Sequence, residues 1–180
     1  MSSTPDRDLI RSKLDVELSD GDLDYLLERM ERIEGQADTT IFERDKKGDA
    51  LYLLVEGTMS AHVNAEGRRL VLGKMNPGDW IGELQFIEPG TSSASVTSDG
   101  PFVALRLASG QVDELIDGNP AAAGALIRTL SREIAERLAR TSSGVLQRVA
   151  DGKFKVADAQ QRRGWFSGLL ANLFGSGQQA

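Results

Sequence analysis

The sequence predicts an α+β protein made of N-terminal helices, an antiparallel β-roll and one long C-terminal helix. Apolar residues recur at helical spacing before about residue 37 and again after residue 118. Between those points stand short β-branched or aliphatic runs, separated by the turn signals "KKGD", "AEG" and "NPGD". The segments expected are N-terminal helices (1–36), a roll (37–118), a long helix (119–150), and a linker with an amphipathic tail (151–180).

Each element has its own signal. "DRDLIRSKL" is a short helix candidate, and "LSDGDLDYLLERMERIEG" a stronger one. Ser19 or Asp20 can cap the second, and Asp20, Asp22 and Asp24 suit the positive end of its dipole. Leu23, Leu26, Leu27 and Met30 form its apolar stripe, and Gly35 stands beyond its expected end. The runs "TTIFERD", "ALYLLVEG", "TMSAHVNAEG" and "RRLVLGKM", then "SASVTS" and "FVALRLAS", read as strands. Met59, Ala61 and Val63 alternate with Ser60, His62 and Asn64, which places His62 on an outward, solvated face. Strands this short, joined by tight turns, imply a jelly-roll-like closure of the sheet.

Helices return with "SGQVDELIDGN". Asn119 can then cap a helix whose first residue is Pro120. That helix runs about eight turns. Ile127, Leu130, Ile134 and Leu138 recur at three- and four-residue steps, followed by Thr141, Val145 and Val149. The stripe is longer than one small roll can cover, so a sister helix in a homodimer is the expected cover. The N-terminal helices of the same chain are the alternative.

After the polar linker "DGKFKVADAQQRR" comes "GWFSGLLANLFGSGQQA". Trp165, Phe166, Leu169, Leu170, Leu173 and Phe174 share one helical face, with Arg162 and Arg163 just before them. Gly164 and Gly168 weaken this helix, so it forms only when its apolar face is covered. Three covers are open: the chain's own roll, an anionic membrane surface, or a groove in a partner protein. Two arginines are few for stable anchoring on lipid, which favours the partner protein over the membrane.

Composition narrows the function. The chain of 180 residues is 40% hydrophobic, enough for one sizeable core. It has no cysteine, which removes disulfides and thiolate metal sites, and no metal site of another kind is expected. Its start lacks the basic and apolar regions of a signal peptide, so a cytoplasmic location is expected. The net charge of −6 argues against nucleic-acid binding. Residues 1–136 hold 14 Lys and Arg against 25 Asp and Glu, a balance of −11, while residues 137–180 hold 7 against 2, or +5. The basic end therefore suits an acidic surface, either a partner's or the body of its own or a sister chain. With a single histidine, and no Ser-His-acid set, phosphate loop or dinucleotide fingerprint, no enzyme is expected.

One stretch, "IGELQFIEPGTSSASV", has the look of a ligand cradle. With "GDALYLLVEG" and "GRRLVLGKMNPGDWIGEL" it resembles the cyclic nucleotide-binding domain family, over roughly residues 18–142. The resemblance implies an eight-stranded β-roll and a long dimerisation helix. It also implies a cyclic nucleotide as ligand, with no other cofactor. In that family the Gly-Glu-Leu segment starts a short helix whose N–H groups face the cyclic phosphate, and the Glu accepts from the ribose hydroxyl. Those positions here are Gly82, Glu83 and Leu84. The family closes its site with Arg, a small residue and Ala. The matching run is Ser92, Ser93 and Ala94, so the phosphate-neutralising arginine is replaced by Ser92. No Lys or Arg occurs between Lys74 and Arg106 to substitute within the segment. Thr141 and Ser142 match a Thr-Ser pair that touches the base in the catabolite-activator group. Family glycines flanking the first roll strand fall on Asp38 and Asp45, which tolerate left-handed turns. Residues after 150 show no helix-turn-helix pattern, so DNA binding is not expected.

The implied function is a non-enzymatic regulatory or scaffold protein. It would bind cyclic AMP or cyclic GMP weakly or not at all and dock a partner through its tail. The alternatives are a genuine cyclic AMP sensor using backbone amides, Glu83 and Thr141/Ser142, or a membrane-surface docking protein.

Overall fold

The computed structural model describes residues 4–65, 67–87 and 90–150, and side chains between residues 5 and 139. The chain divides into two compact units, Met1–Glu136 and Arg137–Ala180, and the roll belongs to the first. Element order is α1 (Thr4–Lys13), α2 (Asp20–Leu27), β1 (Glu31–Gly35), β2 (Thr40–Phe42), β3 (Ala50–Glu56), β4 (Met59–Ala65), β5 (Arg68–Met75), β6 (Trp80–Ile81), α3 (Glu83–Ile87), β7 (Ser95–Ser98), β8 (Phe102–Ala108), α4 (Val112–Gly118) and α5 (Pro120–Ala150). The strands form two four-stranded antiparallel sheets, ordered β1-β8-β3-β6 and β2-β7-β4-β5.

Side-chain period explains how two cores arise from one sheet. In β3, Leu51 and Leu53 face the helices, while Ala50, Tyr52 and Leu54 face the interior of the roll. β8 divides the same way, Leu105 and Leu107 against Phe102 and Ala104. A strand buried on both faces reads as a continuous apolar run, as "ALYLL" does. Inside the roll, Phe42 and Tyr52 meet edge to face at 5.5 Å.

Both expected caps are present. The Ser19 hydroxyl accepts from the Asp22 N–H at 3.2 Å, and the Asn119 side-chain oxygen accepts from the Ala122 N–H at 3.0 Å. The Asn119 amide also donates to Asp22 at 2.8 Å, tying the starts of α2 and α5 together. Bonds from Ser19 and then Asn119 hold the Asp22 carboxyl below its ordinary value. Its contribution to stability is therefore intact at neutral pH and lost only under acid, as the pH falls through the lowered value.

Two elements differ from the sequence reading. The helix expected to reach toward Gly35 ends at Leu27, and "ERIEG" is strand β1, so the roll begins inside the segment assigned to helices (1–36). Pairing with β8, from Glu31 opposite Arg106 to Gly35 opposite Phe102, outweighs the helical stripe. Gly35 is a point of close approach rather than a helix stop, since a Cβ there would lie 2.2 Å from the Phe102 ring. The second difference concerns Leu130, assigned to a dimer face. It is fully buried in its own chain with Ile10, Leu23, Leu26 and Trp80. The Thr129 hydroxyl accepts the Asp15 N–H at 3.0 Å, and Arg132 pairs with the Asp15 carboxylate, fixing this face of α5 against the α1–α2 connection. Ile134 is half-buried, whereas Ile127 and Leu138 are exposed. Thus the inward stripe of α5 runs through Ala122, Leu126 and Leu130, and only the residues beside it stay uncovered.

Candidate functional site

The cradle is built where β6 turns into α3. Ile81 pairs with Tyr52 across β3 and β6. Gly82 then takes φ +93°, and a Cβ there would stand 2.6 Å from the Phe42 ring and 2.8 Å from the Ala50 carbonyl oxygen. Only glycine fits both the backbone angle and the space. Glu83 follows, 3% exposed, as the first residue of α3. Leu84 is turned outward, half exposed.

The small-residue run lies against this turn. The Gln85 side-chain amide donates to the Thr91 carbonyl at 3.4 Å, linking α3 to the run. Ser92 is 4% exposed, Ser93 exposed and Ala94 half-buried. The backbone of Ser92 is held from the other side by the β2–β3 loop. Its N–H donates to the Lys46 carbonyl at 2.8 Å, and its carbonyl accepts from the Asp45 N–H at 2.9 Å. Lys47 and Thr91 form a further antiparallel bridge. Asp38 and Asp45 adopt φ 62° and 63°, the left-handed geometry expected where the family places glycine.

Two buried polar side chains thus mark the cradle, Glu83 and Ser92. The Ser92 hydroxyl is buried and has no hydrogen-bond partner. An unsatisfied buried hydroxyl costs about 1–3 kcal/mol, and no group among the described residues offsets that cost at Ser92. A buried carboxylate and a buried hydroxyl thus give each of the two laced segments one polar side chain.

Of the sequence-assigned residues, Gly82, Glu83 and Ser92 occupy buried positions at the two laced segments, and Leu84 and Ser93 face outward. Thr141 and Ser142 lie on α5, with side chains outside the described residues. The tail residues Arg162, Arg163, Trp165, Phe166, Leu169, Leu170, Leu173 and Phe174 also lie outside them. Sequence reading missed the β2–β3 loop. "KKGD" was legible only as a turn, and nothing in linear order joins it to Ser92.

His62 is a correction. It keeps to the face opposite Met59 and Ala61, yet it is only 8% exposed, so it is not a solvated residue. Its Nε2 lies 3.0 Å from the Thr97 hydroxyl, which lies 3.0 Å from that of Thr40, a polar line across three strands. Burial, and then the charge of Arg69, push its pKa down. Among the described residues no group of three or more His, Cys, Asp or Glu side chains could hold a metal ion. No described helix is long and apolar enough to cross a membrane.

Comparison with known proteins agrees with this geometry. Residues 32–119 match the cyclic nucleotide-binding domain. The chain is 30% identical over 107 residues to the CRP-like cAMP-activated global transcriptional regulator of Mycobacterium tuberculosis, covering 59% of this chain and 46% of that one. It thus spans about half the length of the curated relatives it matches. Among solved structures it resembles the N-terminal domain of a transcriptional regulator from Streptomyces coelicolor, with 29% identity and a TM-score of 0.60 over 74% of this chain and 91% of that one. A cyclic nucleotide-binding domain from Methylobacillus flagellatus superposes with a TM-score of 0.73 at 18% identity, over 86% of this chain and 85% of that one, a likeness of fold. With the roll, the Gly82 turn and the laced Ser92 run in place, residues 32–119 belong to the cyclic nucleotide-binding domain family.

Proposed function

We propose that this chain is a non-enzymatic regulatory protein of the cytoplasm whose roll takes a cyclic nucleotide with low affinity. It acts as a homodimer and passes its state to a partner protein through the C-terminal segment. The observation that carries this reading is Ser92, a buried, unpartnered hydroxyl at the position of the family's arginine. The turn at Gly82 and the buried Glu83 keep the ribose side of a cyclic nucleotide site. Ser92 leaves its phosphate side without a charge-assisted contact from the closing run. The charge balance of +5 over residues 137–180 against −11 before them supports an acidic docking partner for the tail.

Thermal melts test the reading. Millimolar cyclic AMP or cyclic GMP should raise the melting temperature by several degrees, and the linear 5′-monophosphates should not. Removing residues 164–180 should leave that response intact. No response to either cyclic nucleotide would reduce the roll to a scaffold. Flotation of the intact chain, but not the shortened one, with anionic vesicles would assign the tail to a membrane surface instead.

A further inference from the structure

The cradle lacks a cation in its own segment, but the loop laced to it by backbone bonds carries two lysines. The β2–β3 loop carries Lys46 and Lys47, and its backbone is hydrogen-bonded to the Thr91–Ser92 run. The antiparallel bridge sets Lys47 opposite Thr91, which places Lys46 opposite Ser92. Residues directly opposite in an antiparallel pair project to the same side, and their neighbours project to the other. The Lys46 backbone is thus laced to that of Ser92, whose hydroxyl has no partner, and both lysine side chains are exposed. Among the described residues neither lysine makes an ion pair, although Arg44 does, with Asp45. Both lysines, with residues 40–43, line an open cavity of about 330 Å³. One wall of that cavity is Phe42, whose ring lies against Gly82.

We propose that Lys46 is the phosphate-side cation of this site, reaching from the β2–β3 loop to the single negative charge of a cyclic nucleotide beside the Ser92 hydroxyl. The proposal rests on the reading that the roll takes a cyclic nucleotide. Backbone pairing puts the two residues one strand spacing apart, about 5 Å, within the span of a lysine stem. A lysine there is a mobile, hydrated point charge, unlike the two-pronged contact of a buried arginine. The affinity it supplies should be low and should fall with added salt.

Calorimetric titration with cyclic AMP and cyclic GMP, on the full chain, separates the outcomes. Lys46→Gln should weaken binding about tenfold, and the salt dependence should shrink with it. Lys47→Gln removes the same charge one residue away and should stay within about twofold. Adding Ser92→Arg to the Lys46→Gln chain should restore binding. Both lysines are exposed, so the variants should melt like the unmodified chain. Binding that Lys46→Gln leaves unchanged, or that both lysine variants weaken equally, overturns the role of Lys46 and leaves the cyclic nucleotide reading standing. An unmodified chain that binds neither nucleotide overturns that reading, and this inference with it.

Discussion

Leu130→Lys should leave little folded protein at room temperature, while Leu138→Lys should melt within a few degrees of the unmodified chain. Leu130 is fully buried among Ile10, Leu23, Leu26 and Trp80, whereas Leu138 is 65% exposed. Removing a buried leucine typically costs about 2–5 kcal/mol, and a buried ammonium without a partner adds several more. A domain of this size is stable by about 5–15 kcal/mol in total. The helix cannot simply rotate to expose the new charge, because Thr129 and Arg132 hold it to Asp15 on either side. Circular dichroism melts decide the matter. A cooperative, near-normal melt for Leu130→Lys would mean that α5 does not close the core. Ile127→Lys and Leu138→Lys then probe association without touching that core. Light scattering should report a dimer for the unmodified chain and a monomer when both are changed.

Ser92→Arg should tighten cyclic AMP binding by about a hundredfold. Losing one partner of a desolvated charged contact costs about 2–5 kcal/mol, and supplying it should return a similar amount. The backbone at residue 92 is already fixed by Lys46 and Asp45, so the new guanidinium starts from a set position. It also gives the buried Ser92 position a group that can bind phosphate bidentately, where the hydroxyl now bonds nothing. Titration calorimetry measures the change. An unaltered affinity would show that something other than the missing charge limits the site.

What was legible in the sequence follows the range of the interactions. Six strands were visible because alternation and turn residues are local signals. β1 was hidden because "MERIEG" continues a helical stripe, and only pairing with β8, some 70 residues on, makes it a strand. β6 has just two residues and no pattern of its own. Asn119 was legible as a cap, and Ser19 as one of two candidates with Asp20, because a cap needs only the next three residues. Gly82, Glu83 and Ser92 came from a motif, and the structure adds their burial. Alternation placed His62 on the face opposite Met59 and Ala61 but could not show that it is buried there and bonded to Thr97. Periodicity likewise found the stripe of α5 without telling a neighbour within the chain from one in a second chain. Lys46 was out of reach, because its link to Ser92 is a loop-to-loop backbone contact across 46 positions of sequence.

In the proposed function, Ser92 leaves a cyclic nucleotide site intact in shape and weak in charge. Titrating the unmodified chain with cyclic AMP at physiological salt tests it most directly. A saturable, one-site isotherm in the micromolar range or weaker is the result predicted. Nanomolar binding would contradict it, since a site with Ser92 in place of the arginine would then need no cation from that run.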